Sequence, residues 1–119
     1  MIAHCTDVPY LHALYDARTE VALENLRRYR DAVGDRIDTI VVSGTDYGTQ
    51  KSEFFAPALF RDLYVPYLRR INDWIHGHTA WKTIYHTDGS VRQIMEDFIT
   101  PTAACGRSWR TSSHRGSIF

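Results

Sequence analysis

Cysteine is scarce in this chain of 119 residues: Cys5 and Cys105 lie near opposite ends, with no CxxC pair or zinc-finger spacing around them. Two isolated thiols are usually free in a reducing compartment, so neither a disulfide framework nor a zinc finger organises the fold. Net charge is missing too, since fourteen Lys and Arg balance fourteen Asp and Glu. No global field draws the chain to nucleic acid or to an anionic membrane, and binding has to come from a local site. No run approaches the roughly 20 apolar residues of a membrane span. The N-terminus lacks the charged region, apolar stretch and small-residue cleavage site of a secretion signal. The expectation is a cytoplasmic protein with neither nucleic acid nor membrane as partner. No internal repeat interrupts the chain, and no linker divides it.

What remains is an ordinary globular composition, 44% hydrophobic and 24% charged. From Val8 to Gly34 the apolar residues Leu11, Leu14, Tyr15, Ala22, Leu26, Tyr29 and Val33 recur at helical spacing. Asp7 can cap that helix, Pro9 suits its first turn, and Gly34 can take the left-handed conformation that ends it. Ile37 to Ser43, IDTIVVS, is short and β-branched, which predicts a buried strand running into a Gly-containing loop. A second helix is predicted from about Pro57 to His76, with Phe60, Leu63, Tyr64, Tyr67, Leu68, Ile71 and Ile75 on one stripe and a kink at Pro66. Ala80 to Thr87 reads as another strand. Val91, Ile94, Met95, Phe98 and Ile99 mark a last short helix with Asp88 or Ser90 as its cap. Helices alternating with short hydrophobic strands predict an α/β fold with parallel strands.

Chemistry concentrates where these strands end, because ligands of α/β folds sit at the carboxyl ends of their strands. In GTDYGTQKSEFF, Asp46 can accept a hydrogen bond, transfer a proton or ligate a metal. Thr49, Gln50 and Ser52 can hydrogen-bond a substrate carboxylate or amide. Asp beside Gly is equally ordinary turn chemistry. In YHTDGS, His86 and Asp88 are two apart on extended chain and share a face. They can hold a divalent metal or act as a base and its orienting partner, although a zinc site needs further ligands. The competing assignment makes Asp88 a helix cap and His86 a hydrogen-bonded strand-end residue. His76 and His78 sit at a helix end, where positive charge complements the dipole. Tyr64, Tyr67, Trp74 and Trp81 fit a buried stripe or strand better than a base-stacking surface, since no basic patch accompanies them.

A strand followed by GTDYGTQ, a polar stretch, FRDLYVPYLRRI, a second strand and HTDGSV together resemble the C-terminal half of the uroporphyrinogen decarboxylase-like superfamily, over roughly Val8 to Ile99. The resemblance implies part of a TIM (β/α)8 barrel. It implies either tetrapyrrole decarboxylation, a lyase activity of porphyrin biosynthesis, or corrinoid-dependent methyl transfer. YVPYLRRI is more similar to the decarboxylases, and GTDYGTQ to the methyltransferase-type members. On the latter ground Asp46, Thr49 and Gln50 are carried as site candidates. Methyltransferase members usually have His-x-Cys at the second strand end, both residues binding a thiol-activating zinc; here His86 and Asp88 occupy those places. A carboxylate for a thiolate weakens the case for that zinc without forbidding the metal.

A barrel of this kind needs eight βα units and about 250 residues, whereas this sequence supplies two to three units. Residues 1–99 therefore read as a fragment of a barrel domain, inactive alone. The exposed strand edges are expected to be covered by a separate N-terminal half-barrel or by self-association, with a tetrapyrrole or a corrinoid protein as partner by family resemblance. A non-catalytic assembly module and a nonfunctional remnant are the rival outcomes. Residues 100–119, TPTAACGRSWRTSSHRGSIF, lose all periodicity and read as an irregular, disordered tail, and so abrupt a change raises the expectation of a shifted or mispredicted reading frame.

Overall fold

The structure, a computed structural model, describes residues 7–103. Both cysteines and most of the predicted irregular tail lie outside the described residues. Helix α1 spans Val8–Val33 and begins where the sequence predicts: the Asp7 carboxylate accepts the Tyr10 N–H at 3.0 Å, and Pro9 lies in the first turn. Gly34 ends it at φ 53°, a conformation a side chain would strain. The buried face is Leu11, Thr19 and Leu23, with Tyr15, Ala22 and Leu26 half-buried, while Leu14 and Tyr29 are exposed. The buried strip is thus narrower than the predicted stripe, because α1 packs mainly on the helix Val65–His78 along one line. Arg70 ties that contact by reaching Asp16 at 2.8 Å and also Glu20, and the Tyr67 hydroxyl donates to the His12 carbonyl at 3.1 Å.

A 3-10 turn, Gly34–Arg36, leads into strand β1, Thr39–Ser43. Two helices follow, α2 at Pro57–Leu63 and α3 at Val65–His78, where the sequence predicts one kinked helix. The break falls at Tyr64, and Pro66 stands in the first turn of α3, where its missing N–H leaves no donor to lose. The predicted stripe survives the break. Phe60, Leu63, Tyr67 and Ile75 are buried, and Tyr64, Leu68 and Ile71 half-buried.

Strand β2, Lys82–Tyr85, pairs with β1 in parallel, Thr39 opposite Lys82 and Val41 opposite Ile84, with an irregularity between Val41 and Ser43. Helix α4 spans Met95–Ala103, so its backbone continues past the Ile99 boundary expected from sequence. It also starts after a turn at 92–94, which leaves Asp88 and Ser90 too far upstream to cap it. Glu53 takes part of that role from the preceding loop, its carboxylate accepting the Gln93 N–H at 2.9 Å and the Gln93 side-chain amide at 3.2 Å.

The described residues therefore form an α/β unit of four α-helices and a two-stranded parallel sheet. Its core gathers Tyr47, Phe60, Tyr85, Val91, Ile94 and Phe98 between the sheet and the helices. Trp81, Thr83, Tyr85 and Thr87 alternate into this side, and Lys82, His86 and Asp88 point away from it. The prediction of a buried β1 is corrected: its residues are half-buried and Val41 is 63% exposed, because the helices cover only one face of the sheet. Among the described residues, no helix is long and apolar enough to cross a membrane.

Candidate functional site at the strand ends

The two loops that leave β1 and β2 are locked together by backbone. The His86 N–H continues the ladder to the Ser43 carbonyl at 2.8 Å, and the Ser90 N–H donates to the Thr49 carbonyl at 2.7 Å. Gly48 packs so tightly on Ser90 that there is no room for a Cβ, and Gly89, at φ 86°, turns the second loop over the first. Tyr47 anchors the arrangement from below. Its N–H donates to the Thr87 hydroxyl at 2.9 Å, and its ring meets Phe60, Tyr64 and Phe98 edge-on or tilted at 5.4 to 5.7 Å. Burial pushes the Tyr47 hydroxyl pKa up, holding it neutral. Tyr47 is not among the residues that motif and spacing single out; its one signal in the sequence is an aromatic residue between polar loop residues.

Above this anchor the structure brings together Asp46, His86 and Asp88. A ligand atom from each lies within 4.8 Å of the others, and all three residues are exposed. The His86 Nε2 is 3.8 Å from the Asp88 Oδ1. The Asp88 N–H donates to the Asp46 Oδ1 at 3.0 Å, so Asp46 both clamps the second loop and belongs to the cluster. The Asp46 carboxylate thus bridges the two loops rather than capping its own turn.

The predicted substrate-binding residues divide. The Thr49 hydroxyl donates to the Ser52 carbonyl at 2.9 Å and accepts the N–H groups of Lys51 and Ser52 at 3.2 and 3.1 Å. It is committed to its own turn, which removes it as a ready substrate contact. Ser52 closes that turn through its carbonyl, which also accepts the Thr49 N–H. Gln50 is exposed at the tip. At the helix end, the His78 Nδ1 lies 2.8 Å from the Trp74 carbonyl and the two rings stack, in keeping with a structural role. A hollow of about 280 Å³ floored by Trp81 lies between Arg30, Asp35 and His78, at the opposite end of the strands.

One imidazole and two carboxylates can relay a proton or hold a divalent ion. Ligand atoms about 2.1 Å from a tetrahedral zinc lie about 3.4 Å apart, close to the His86–Asp88 separation. The donors suit a borderline or hard cation; the thiolates of a thiol-activating zinc site are not among them. No family model, curated protein or solved structure matches the chain.

Proposed function

We propose that the chain is a two-unit piece of a uroporphyrinogen decarboxylase-like barrel whose strand-end cluster, Asp46, His86 and Asp88, lines what would be the barrel mouth. One observation carries this reading: adjacent parallel strands deliver three polar side chains to one point at their C-terminal ends. The one-sided sheet supports it as well. Parallel strands are normally buried on both faces, and here the face bearing Val41 and Ile84 has no layer over it among the described residues.

In this reading Asp46 and Asp88 accept hydrogen bonds or a proton from an incoming group, and His86 exchanges a proton between them. Gln50, at the loop tip, contacts a substrate carboxylate. The family resemblance supplies two chemistries, tetrapyrrole decarboxylation and corrinoid-dependent methyl transfer. The carboxylate at Asp88 favours a site without thiolate chemistry. Were zinc bound, Asp46, His86 and Asp88 would hold it, and it would act as a Lewis acid toward a coordinated oxygen or sulfur. Two βα units make up only part of the wall of such a barrel, so in this reading these residues by themselves are not expected to turn over substrate.

A Co²⁺ titration followed by visible absorption, with uroporphyrinogen binding read in parallel, tests the proposal. The expected result is a single ion site lost in His86→Ala. If neither the ion nor the porphyrinogen binds to the intact chain, the strand-end cluster is not a functional site.

A further inference from the structure

At the opposite end of the strands from the cluster, a second gathering of polar groups is left unused by the proposed function. Helix α1 stops at Val33 and helix α3 at His78, and between these ends lies the hollow of about 280 Å³ floored by Trp81. Its walls are fixed from within. The Trp81 indole N–H donates to the Gly34 carbonyl at 3.1 Å, and the Tyr29 ring meets the Trp81 ring edge-on at 5.9 Å. The Thr79 hydroxyl donates to the Ile75 carbonyl at 2.7 Å and accepts the Trp81 N–H at 3.1 Å. His78 stacks on Trp74, and its Nδ1 lies 2.8 Å from the Trp74 carbonyl, which can only accept. Nδ1 therefore carries the proton, and the neutral ring keeps Nε2 as a free acceptor.

The remaining lining is charged. Arg30, Asp31 and Asp35 are exposed and enter no ion pair among the described residues. Two carboxylates, the carbonyl ends of two helices and the His78 Nε2 favour positive charge in the hollow, while Arg30 offers one place for an anion. A bare metal ion does not fit the arrangement: among the described residues, the three-residue grouping close enough to hold one is Asp46, His86 and Asp88. The volume falls just under the roughly 300–1,000 Å³ of drug-sized sites, which suits a smaller organic molecule. We infer that the hollow binds a small amine that also carries a carboxylate, of the class of a basic amino acid. Its ammonium groups lie against Asp31, Asp35 and the His78 Nε2, and its carboxylate meets the Arg30 guanidinium.

The Trp81 indole N–H resonance of the purified full chain, followed by NMR at fixed ionic strength as L-lysine, cadaverine or acetate is added, tests this. L-Lysine should give a saturable shift with a dissociation constant of about 1–10 mM, the range of a small ligand in an open hollow. Cadaverine, the same diamine without the carboxylate, should bind about tenfold more weakly, and acetate more weakly than L-lysine. Arg30→Gln should bring L-lysine down to the cadaverine level without weakening cadaverine, whereas Asp35→Asn should weaken both diamines about tenfold. Both substitutions are at exposed positions, and an unchanged far-ultraviolet helix signal shows that the fold is kept. A shift that never saturates overturns the inference, and so does a preference for L-lysine over cadaverine that survives Arg30→Gln. Acetate binding as tightly as L-lysine overturns it in favour of a plain anion site at Arg30. The Co²⁺ titration reads the other end of the strands, so the two proposals fail separately.

Discussion

Gly48→Ala is the substitution that most directly tests whether the two strand-end loops act as one unit. A Cβ at Gly48 would stand 2.9 Å from both the carbonyl carbon and the amide nitrogen of Ser90, and closer still to the Ser90 carbonyl oxygen. The obstacle is backbone, which no rotamer change relieves. Reaching ordinary contact at 3.4 Å with the carbonyl oxygen requires the loops to part by about an ångström, which lengthens the Ser90 to Thr49 bond from 2.7 Å and strains the Asp88 to Asp46 bond at 3.0 Å. Overpacking costs about 1–3 kcal/mol, and each weakened hydrogen bond adds up to about 1 kcal/mol. The expected loss is therefore about 1–5 kcal/mol, measured by urea unfolding with tryptophan fluorescence. Co²⁺ binding should weaken in parallel, because Asp46 and Asp88 ride on the separated loops. Gly44→Ala is the control, since nothing lies within 4 Å of a Cβ there, and it should change stability little. If Gly48→Ala matched Gly44→Ala in both assays, the tight loop contact would not be what positions the cluster.

Two further outcomes follow from the core. Asn72 is buried, its side-chain N–H donates to the Tyr85 hydroxyl at 2.6 Å, and its Oδ1 has no partner among the described residues. Tyr85→Phe should cost about 1–3 kcal/mol by stranding that donor, whereas Asn72→Leu/Tyr85→Phe, which removes both partners, should cost less; denaturant midpoints decide, and an unperturbed Tyr85→Phe would sink the argument. Burial also pushes the Tyr85 hydroxyl pKa far above its ordinary value, the Asn72 hydrogen bond only partly opposing it, and Tyr64 shifts the same way. The folded chain then keeps protons that the unfolded chain releases, so this stability is full below about pH 10 and falls as pH rises beyond it, for Tyr85 by up to about 1.4 kcal/mol per pH unit. Urea midpoints from pH 8 to 11 should fall above pH 10, less steeply in Tyr85→Phe; a flat profile would show that these hydroxyls ionise as freely folded as unfolded.

Sequence alone determined the features governed by near neighbours. Asp7, Pro9 and Gly34 set the ends of α1 because capping and backbone freedom act within a few residues. The stripe from Phe60 to Ile75 foretold the buried side of α2 and α3, and the alternation around Trp81 to Asp88 put His86 and Asp88 on one face. Pro66 announced a disturbance, but whether it kinks or breaks a helix depends on the packing around Tyr64.

Tertiary structure decided what distant segments do to one another. Asp46 joins His86 and Asp88 from across the sheet, Tyr47 turns inward onto Thr87 and Phe98, and Glu53 rather than Asp88 holds the approach to α4. Thr49 looked available for substrate until its turn closed on Ser52. Val41 has the composition of a buried strand residue and yet faces outward, because propensity describes the side chain and only the surrounding layers determine whether anything covers it.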